Sequence, residues 1–71
     1  MLLVSLHQDN RVRLWNTNDG RCVMASSKDM LVTKAFKLKE MKNHPGNVMV
    51  LGENKDVYIV NVYKMMVYKH F

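Results

Sequence analysis

The chain has 71 residues, 48% hydrophobic and 24% charged, a globular balance that argues against disorder. Its net charge is +5, it has one cysteine, and its apolar runs are short, so it offers no internal disulfide, no paired Cys/His zinc spacing and no membrane span. A chain this small buries only about 60% of its unfolded surface, so little stability is expected from it alone. The single Cys22 and an apolar opening without a basic flank or signal-peptide length predict a soluble protein in a reducing, intracellular and cytoplasmic setting.

In chain order, Leu2 to His7 is a short apolar run, followed by the turn formers Gln8-Asp9-Asn10 and then by Arg11 to Thr17. This pattern predicts a hairpin. Alternation across Val12 to Asn16 puts Val12 and Leu14 on one face and Arg13 and Trp15 on the other, so both faces carry something to bury. Asn18-Asp19-Gly20 predicts a second turn, in which Gly20 takes the left-handed conformation, and Arg21 to Ala25 a third strand.

Ser26 to Gly46 contains one more segment, Met30 to Lys39, closed by His44-Pro45-Gly46. Val32, Lys34, Phe36 and Leu38 fit a strand. Leu31, Ala35, Leu38 and Met41 fit a helical face capped by Ser26 or Ser27, which would make the protein α+β with residues 28–43 helical. Beyond it, Asn47 to Gly52, a turn at Glu53-Asn54-Lys55, Val57 to Val62, a tighter turn near Tyr63-Lys64, and Met66 to His70 predict another meander, rich in β-favouring Val, Ile and Tyr.

The two meanders align without gaps at an offset of 45 residues. Leu3 to Leu6 falls on Val48 to Leu51, Leu14 on Ile59, Trp15 on Val60 and Asn16 on Asn61. A period in the 40s indicates one supersecondary unit used twice, and a fourth strand in the intervening segment completes a four-stranded sheet of that length. The expected fold is therefore all-β, built of antiparallel meander sheets, with three strands in residues 1–27 and four in residues 28–71.

The run Leu3-Val4-Ser5, Asp9, Val12 to Asn16 and Asp19-Gly20-Arg21-Cys22-Val23 resembles a WD-repeat, the blade unit of a β-propeller. The resemblance rests on Asp9 six positions before Trp15, Asn16 in the place of the usual Asp, and the hairpin glycine, Gly20. It covers residues 2–27 well and residues 30–71 less well, since the second copy has Val60 in the place of Trp and Asn54 in the place of Asp. The family's Gly-His pair is absent, with Ser26 to Asp29 in that region, which argues against its usual His-Ser-Trp-Asp hydrogen-bond network. The resemblance implies about two blades of an incomplete propeller, with Asp9, Trp15, Asn16 and Gly20 as structural marks. A propeller needs at least four blades, so the chain is expected to be part of a larger one or to pack against other blades in trans.

Ser5, His7 and Asp9 imitate a nucleophile-base-acid set. Strand neighbours two apart stand side by side, about 6.6 Å along the chain, so a polar turn network outweighs catalysis. Trp15 reads as a packed core residue with its indole N–H bonded, and Cys22 as a buried, inert thiol. His7, His44 and His70 share no metal-ligand spacing, and neither a metal nor a cofactor is assigned. The methionines read as core filler.

A non-catalytic scaffold for protein–protein contact is the function these residues support, with other proteins or other blades as partners. Contact is expected at the connections, through Lys34, Lys37, Lys39, Lys42 and His44 and the turn at Glu53 to Lys55. The alternative is a small basic nucleic-acid-binding β module using those lysines with Arg11 and Arg13. Against it, the lysines equally suit a solvated outer edge, and only Phe36 is interleaved among them.

Overall fold

A computed structural model describes residues 1–71 as seven antiparallel strands in two sheets, with no α-helix. The first sheet is β1 (Leu2–Leu6), β2 (Val12–Asn16) and β3 (Arg21–Ala25); the second is β4 (Ala35–Glu40), β5 (Asn47–Gly52), β6 (Val57–Asn61) and β7 (Met66–His70). Each sheet is a meander in which every strand pairs with its neighbour in sequence. No helix is long and apolar enough to cross a membrane.

Turn chemistry sets the hairpins. Asn10 takes φ 65° between β1 and β2, and Gly20 φ 73° between β2 and β3, where its N–H donates to the Asn16 carbonyl at 2.9 Å. Asn16 shapes the same turn by accepting the Asn18 N–H on its side-chain oxygen at 2.9 Å, while Asn61 accepts the N–H groups of both Tyr63 and Lys64 at 3.0 Å. Short polar side chains that bond their own backbone two residues on stabilise such reversals. The left-handed site that Gly20 fills in the first sheet is held in the second by Met65, at φ 52°.

The two meanders coincide residue by residue. Leu2 pairs with Asn16 and Leu6 with Val12; Asn47 pairs with Asn61 and Leu51 with Val57. The bulge in β2 falls between Leu14 and Trp15, and that in β6 between Ile59 and Val60.

Residues 28–43 are not helical. The strand begins at Ala35, five residues later than the apolar pattern predicts, because Leu31 turns into the core and Thr33 is held by the Tyr58 hydroxyl. From there β5 supplies the backbone partners, and alternation leaves Leu38 half-buried with Lys37 and Lys39 exposed.

One apolar cluster lies between the sheets: Val12 and Leu14 from β2, Leu31 from the connection, Ala35, Val48, Val50, Tyr58 and Val60 from the second sheet, and Val62 just after β6. Two polar links pin it. Buried Ser26 exchanges two hydrogen bonds with the Val12 backbone, its Oγ accepting the Val12 N–H and its own N–H donating to the Val12 carbonyl, both at 2.9 Å. Asn10 reaches from the β1–β2 turn to the segment before β4, its Nδ2 donating to the Thr33 carbonyl at 3.1 Å and its Oδ1 accepting the Ala35 N–H at 2.7 Å.

Candidate functional site

The two sheets stack front to back. In the first sheet the face that enters the core carries Val4, Leu6, Val12 and Leu14. Their counterparts in the aligned second meander, Met49, Leu51, Val57 and Ile59, lie on the face turned away from the core, each only partly covered. Conversely, Val48, Val50, Tyr58 and Val60 are buried against the first sheet, while their counterparts Leu3, Ser5, Arg13 and Trp15 face outward. The second sheet therefore presents an open apolar front, and the first an open back of mixed polarity.

That back carries a hydrogen-bonded relay. The Trp15 indole N–H donates to Ser5 Oγ at 2.8 Å, and Ser5 Oγ lies 2.6 Å from His7 Nε2. Ser5 and His7 thus meet, contrary to the spacing argument, because the imidazole reaches back along the strand. Asp9 does not join them. Its carboxylate is gripped by the Arg13 guanidinium through two bonds of 2.8 and 3.2 Å and accepts the Arg11 N–H at 3.2 Å. The Arg13 bond is the main cause that holds the Asp9 carboxyl at about 2, and Arg13 is raised in return. The set lacks the acid that would orient the histidine. Trp15 is half-buried on the outward face and lies outside the core cluster, a correction to the packed core residue expected, because only Val12 and Leu14 of β2 turn toward the second sheet. Its indole N–H is bonded as expected, and the histidine of the relay stands just after β1, which carries the serine.

Cys22 is exposed, a correction to the buried thiol expected: β3 is an edge strand, exposed along its whole length. Gly20 is a turn residue with open space around it, and Asn16 is a turn cap.

The basic residues are dispersed. Lys34 turns toward the first sheet and donates to the Gln8 carbonyl, whereas Lys37 and Lys39 project from β4. Lys42 and His44 sit in the β4–β5 connection, where they help line a groove of about 500 Å³ between the sheets with Leu2, Leu38 and Tyr63. The Glu53 to Lys55 turn is exposed at the opposite end of β5.

A second polar cluster has no forerunner in the sequence analysis. The Tyr58 hydroxyl, 2.9 Å from Thr33 Oγ1, accepts the Thr33 N–H at 3.0 Å; Thr33 Oγ1 also donates to Asp56 at 2.8 Å. His70 Nε2 lies 3.2 Å from the other Asp56 oxygen, and its ring stacks on Tyr58 at 4.2 Å. The Thr33 hydroxyl, then His70, pull the Asp56 carboxyl below its ordinary range. Asp56 receives both neighbours rather than activating either, so the cluster braces the segment entering β4 against β6 and β7. Only Asp56, beside a turn, could have been suspected; the others come together over separations of more than ten residues. Compared with family models, curated proteins and solved structures, the chain matches none of them.

Proposed function

We propose that the chain is a non-catalytic interaction scaffold of the WD-repeat propeller type, whose sheets stack as successive blades and whose connections present a binding surface. The observation that carries this reading is the front-to-back packing of two sheets whose strands, registers and bulges coincide. Packing of that sense leaves the same two faces open at the ends of the stack, the condition under which further units add without a new kind of contact. The Trp15–Ser5–His7 relay and the Asn16 turn support the likeness in the first blade. Within the family, the Leu14-Trp15 core and the Asp19 to Cys22 turn resemble the amino-terminal propeller of the rabconnectin beta subunit.

Stacked repeats gain stability from each added interface. A tandem chain with a second copy of residues 27–71 joined after Phe71 is therefore expected to melt at a higher temperature than the 71-residue chain. Equal melting temperatures, with the added copy unfolding separately, refute the stacking on which the reading depends.

Lys37 and Lys39, projecting side by side from β4 next to the exposed Phe36, favour nucleic acid as a second reading. It requires binding to nonspecific single-stranded DNA at low salt that weakens steeply as salt rises. Absence of binding at low salt removes it.

A further inference from the structure

We propose that the open front of the second sheet docks on the open back of the first sheet of another copy of this chain, so that the protein self-associates head to tail. The occupant is identified by continuity with the interface inside the molecule. There, the front of one sheet, Val4, Leu6, Val12 and Leu14, seats on the back of the next, Val48, Val50, Tyr58 and Val60. The open front repeats the first set with Met49, Leu51, Val57 and Ile59 at matching registers, all apolar.

The open back offers the second half of the same contact. Leu3, with 56% of its surface exposed, stands where Val48 is buried in the second sheet, and Trp15 stands where Val60 is buried. Its polar members need no new partners on being covered. Ser5 is bonded to both Trp15 and His7, and Arg13 is already paired with Asp9. Burying polar groups whose bonds are internal avoids most of the desolvation cost that unpaired ones carry.

Because the two patches differ, the contact is heterologous and propagates until a ring closes. Each copy contributes two sheets, and propellers close with four to eight, so two to four copies complete a ring. That count rests on the propeller reading; the head-to-tail contact rests only on the two faces.

The test is sedimentation of the full 71-residue chain across micromolar to millimolar concentration. Rising concentration is expected to move the mass from 8.3 kDa to a multiple of it. Ile59→Lys blocks the front and Leu3→Lys the back; each alone is expected to stay at 8.3 kDa, and an equimolar mixture to form a heterodimer through the intact front of one and back of the other. Circular dichroism checks that both variants fold, and Leu51→Lys stands in for Ile59→Lys if it does not. A wild-type chain that stays monomeric throughout overturns the inference. So does association of either variant alone to the wild-type extent, which would mean a symmetric face-to-face contact. The tandem chain above tests stacking within one chain, so failure of self-association and failure of the propeller reading are distinguishable.

Discussion

Gly20 and Gly46 both sit in the left-handed region, at φ 73° and 85°, yet their surroundings differ. A Cβ at Gly20 would have nothing within 4 Å, whereas one at Gly46 would fall 2.7 Å from Tyr63 Cε2. Alanine at Gly20 therefore incurs only backbone strain, roughly 1–2 kcal/mol, offset by about 0.4–1 kcal/mol from the stiffer unfolded chain. The net is about 1 kcal/mol, or ~4–8 °C in melting temperature for a domain of this size. Alanine at Gly46 meets the same strain and must also displace the Tyr63 ring. Uncovering on the order of 40 Å² of that ring adds ~1 kcal/mol, for a total of about 2 kcal/mol. The assay is urea unfolding at one protein concentration for Gly20→Ala, Gly46→Ala, Tyr63→Ala and the double variant of the last two. In the double variant the steric part vanishes, so the cycle should return a coupling of ~1 kcal/mol. Equal losses at the two glycines, or a coupling indistinguishable from zero, would refute the contact between Tyr63 and Gly46.

Ser26→Ala removes the Oγ that accepts the buried Val12 N–H, and is expected to cost about 1–3 kcal/mol by urea unfolding, far more than Ser27→Ala on the exposed neighbour. Asn10→Gly keeps the positive φ while deleting the side-chain bonds to Thr33 and Ala35, so it should loosen the contact between sheets; faster hydrogen exchange at the Ala35 amide is the readout, and unchanged protection there argues against the bridge. The Asp9 carboxyl is lowered in the folded state to about 2, so its contribution is complete above the ordinary carboxylate range and is lost as pH falls from about 4 through about 2. The urea midpoint of the wild type should fall more steeply across that window than that of Asp9→Asn, and identical slopes would show that the Arg13 pair is absent in solution.

Much of the strand order was legible because each hairpin is coded locally. Asn10, Gly20 and the apolar runs act within a few residues, and the gapless offset carries the first meander's boundaries onto the second. The start of β4 was not, since Met30 to Lys34 is as apolar as a strand and is kept out of one by Tyr58, more than twenty residues away. Asn10 read only as a turn former, its second role depending on backbone groups 23 and 25 residues distant. For the same reason the Thr33, Asp56, Tyr58 and His70 cluster was invisible. The exposure of Cys22 depends on β3 being an edge, which apolar neighbours in sequence do not reveal. Which face of each meander enters the core also escaped alternation. Period two separates the faces, but only stacking chooses between them.

The two ends of the stack differ in what water costs them. At the back, Ser5, His7 and Trp15 satisfy one another and Asp9 pairs with both Arg13 and Arg11, so the polar groups of this surface are bonded with or without a covering sheet. At the front, Met49, Leu51, Val57 and Ile59 have no polar group among them, and each square ångström left wet forfeits about 25 cal/mol. Lys37 and Lys39, paired across from Leu51 and Met49, rim that surface on one side, and Lys69, opposite Ile59, rims it on the other. Long cationic side chains of this kind shield an apolar strip with their stems while their charges repel a second front. A front meeting a front would bring three lysines against three lysines. A front meeting a back brings them against one aspartate shared by Arg11 and Arg13, a smaller positive charge than three lysines, so like-charge repulsion is weaker in the head-to-tail arrangement that the matched registers also select.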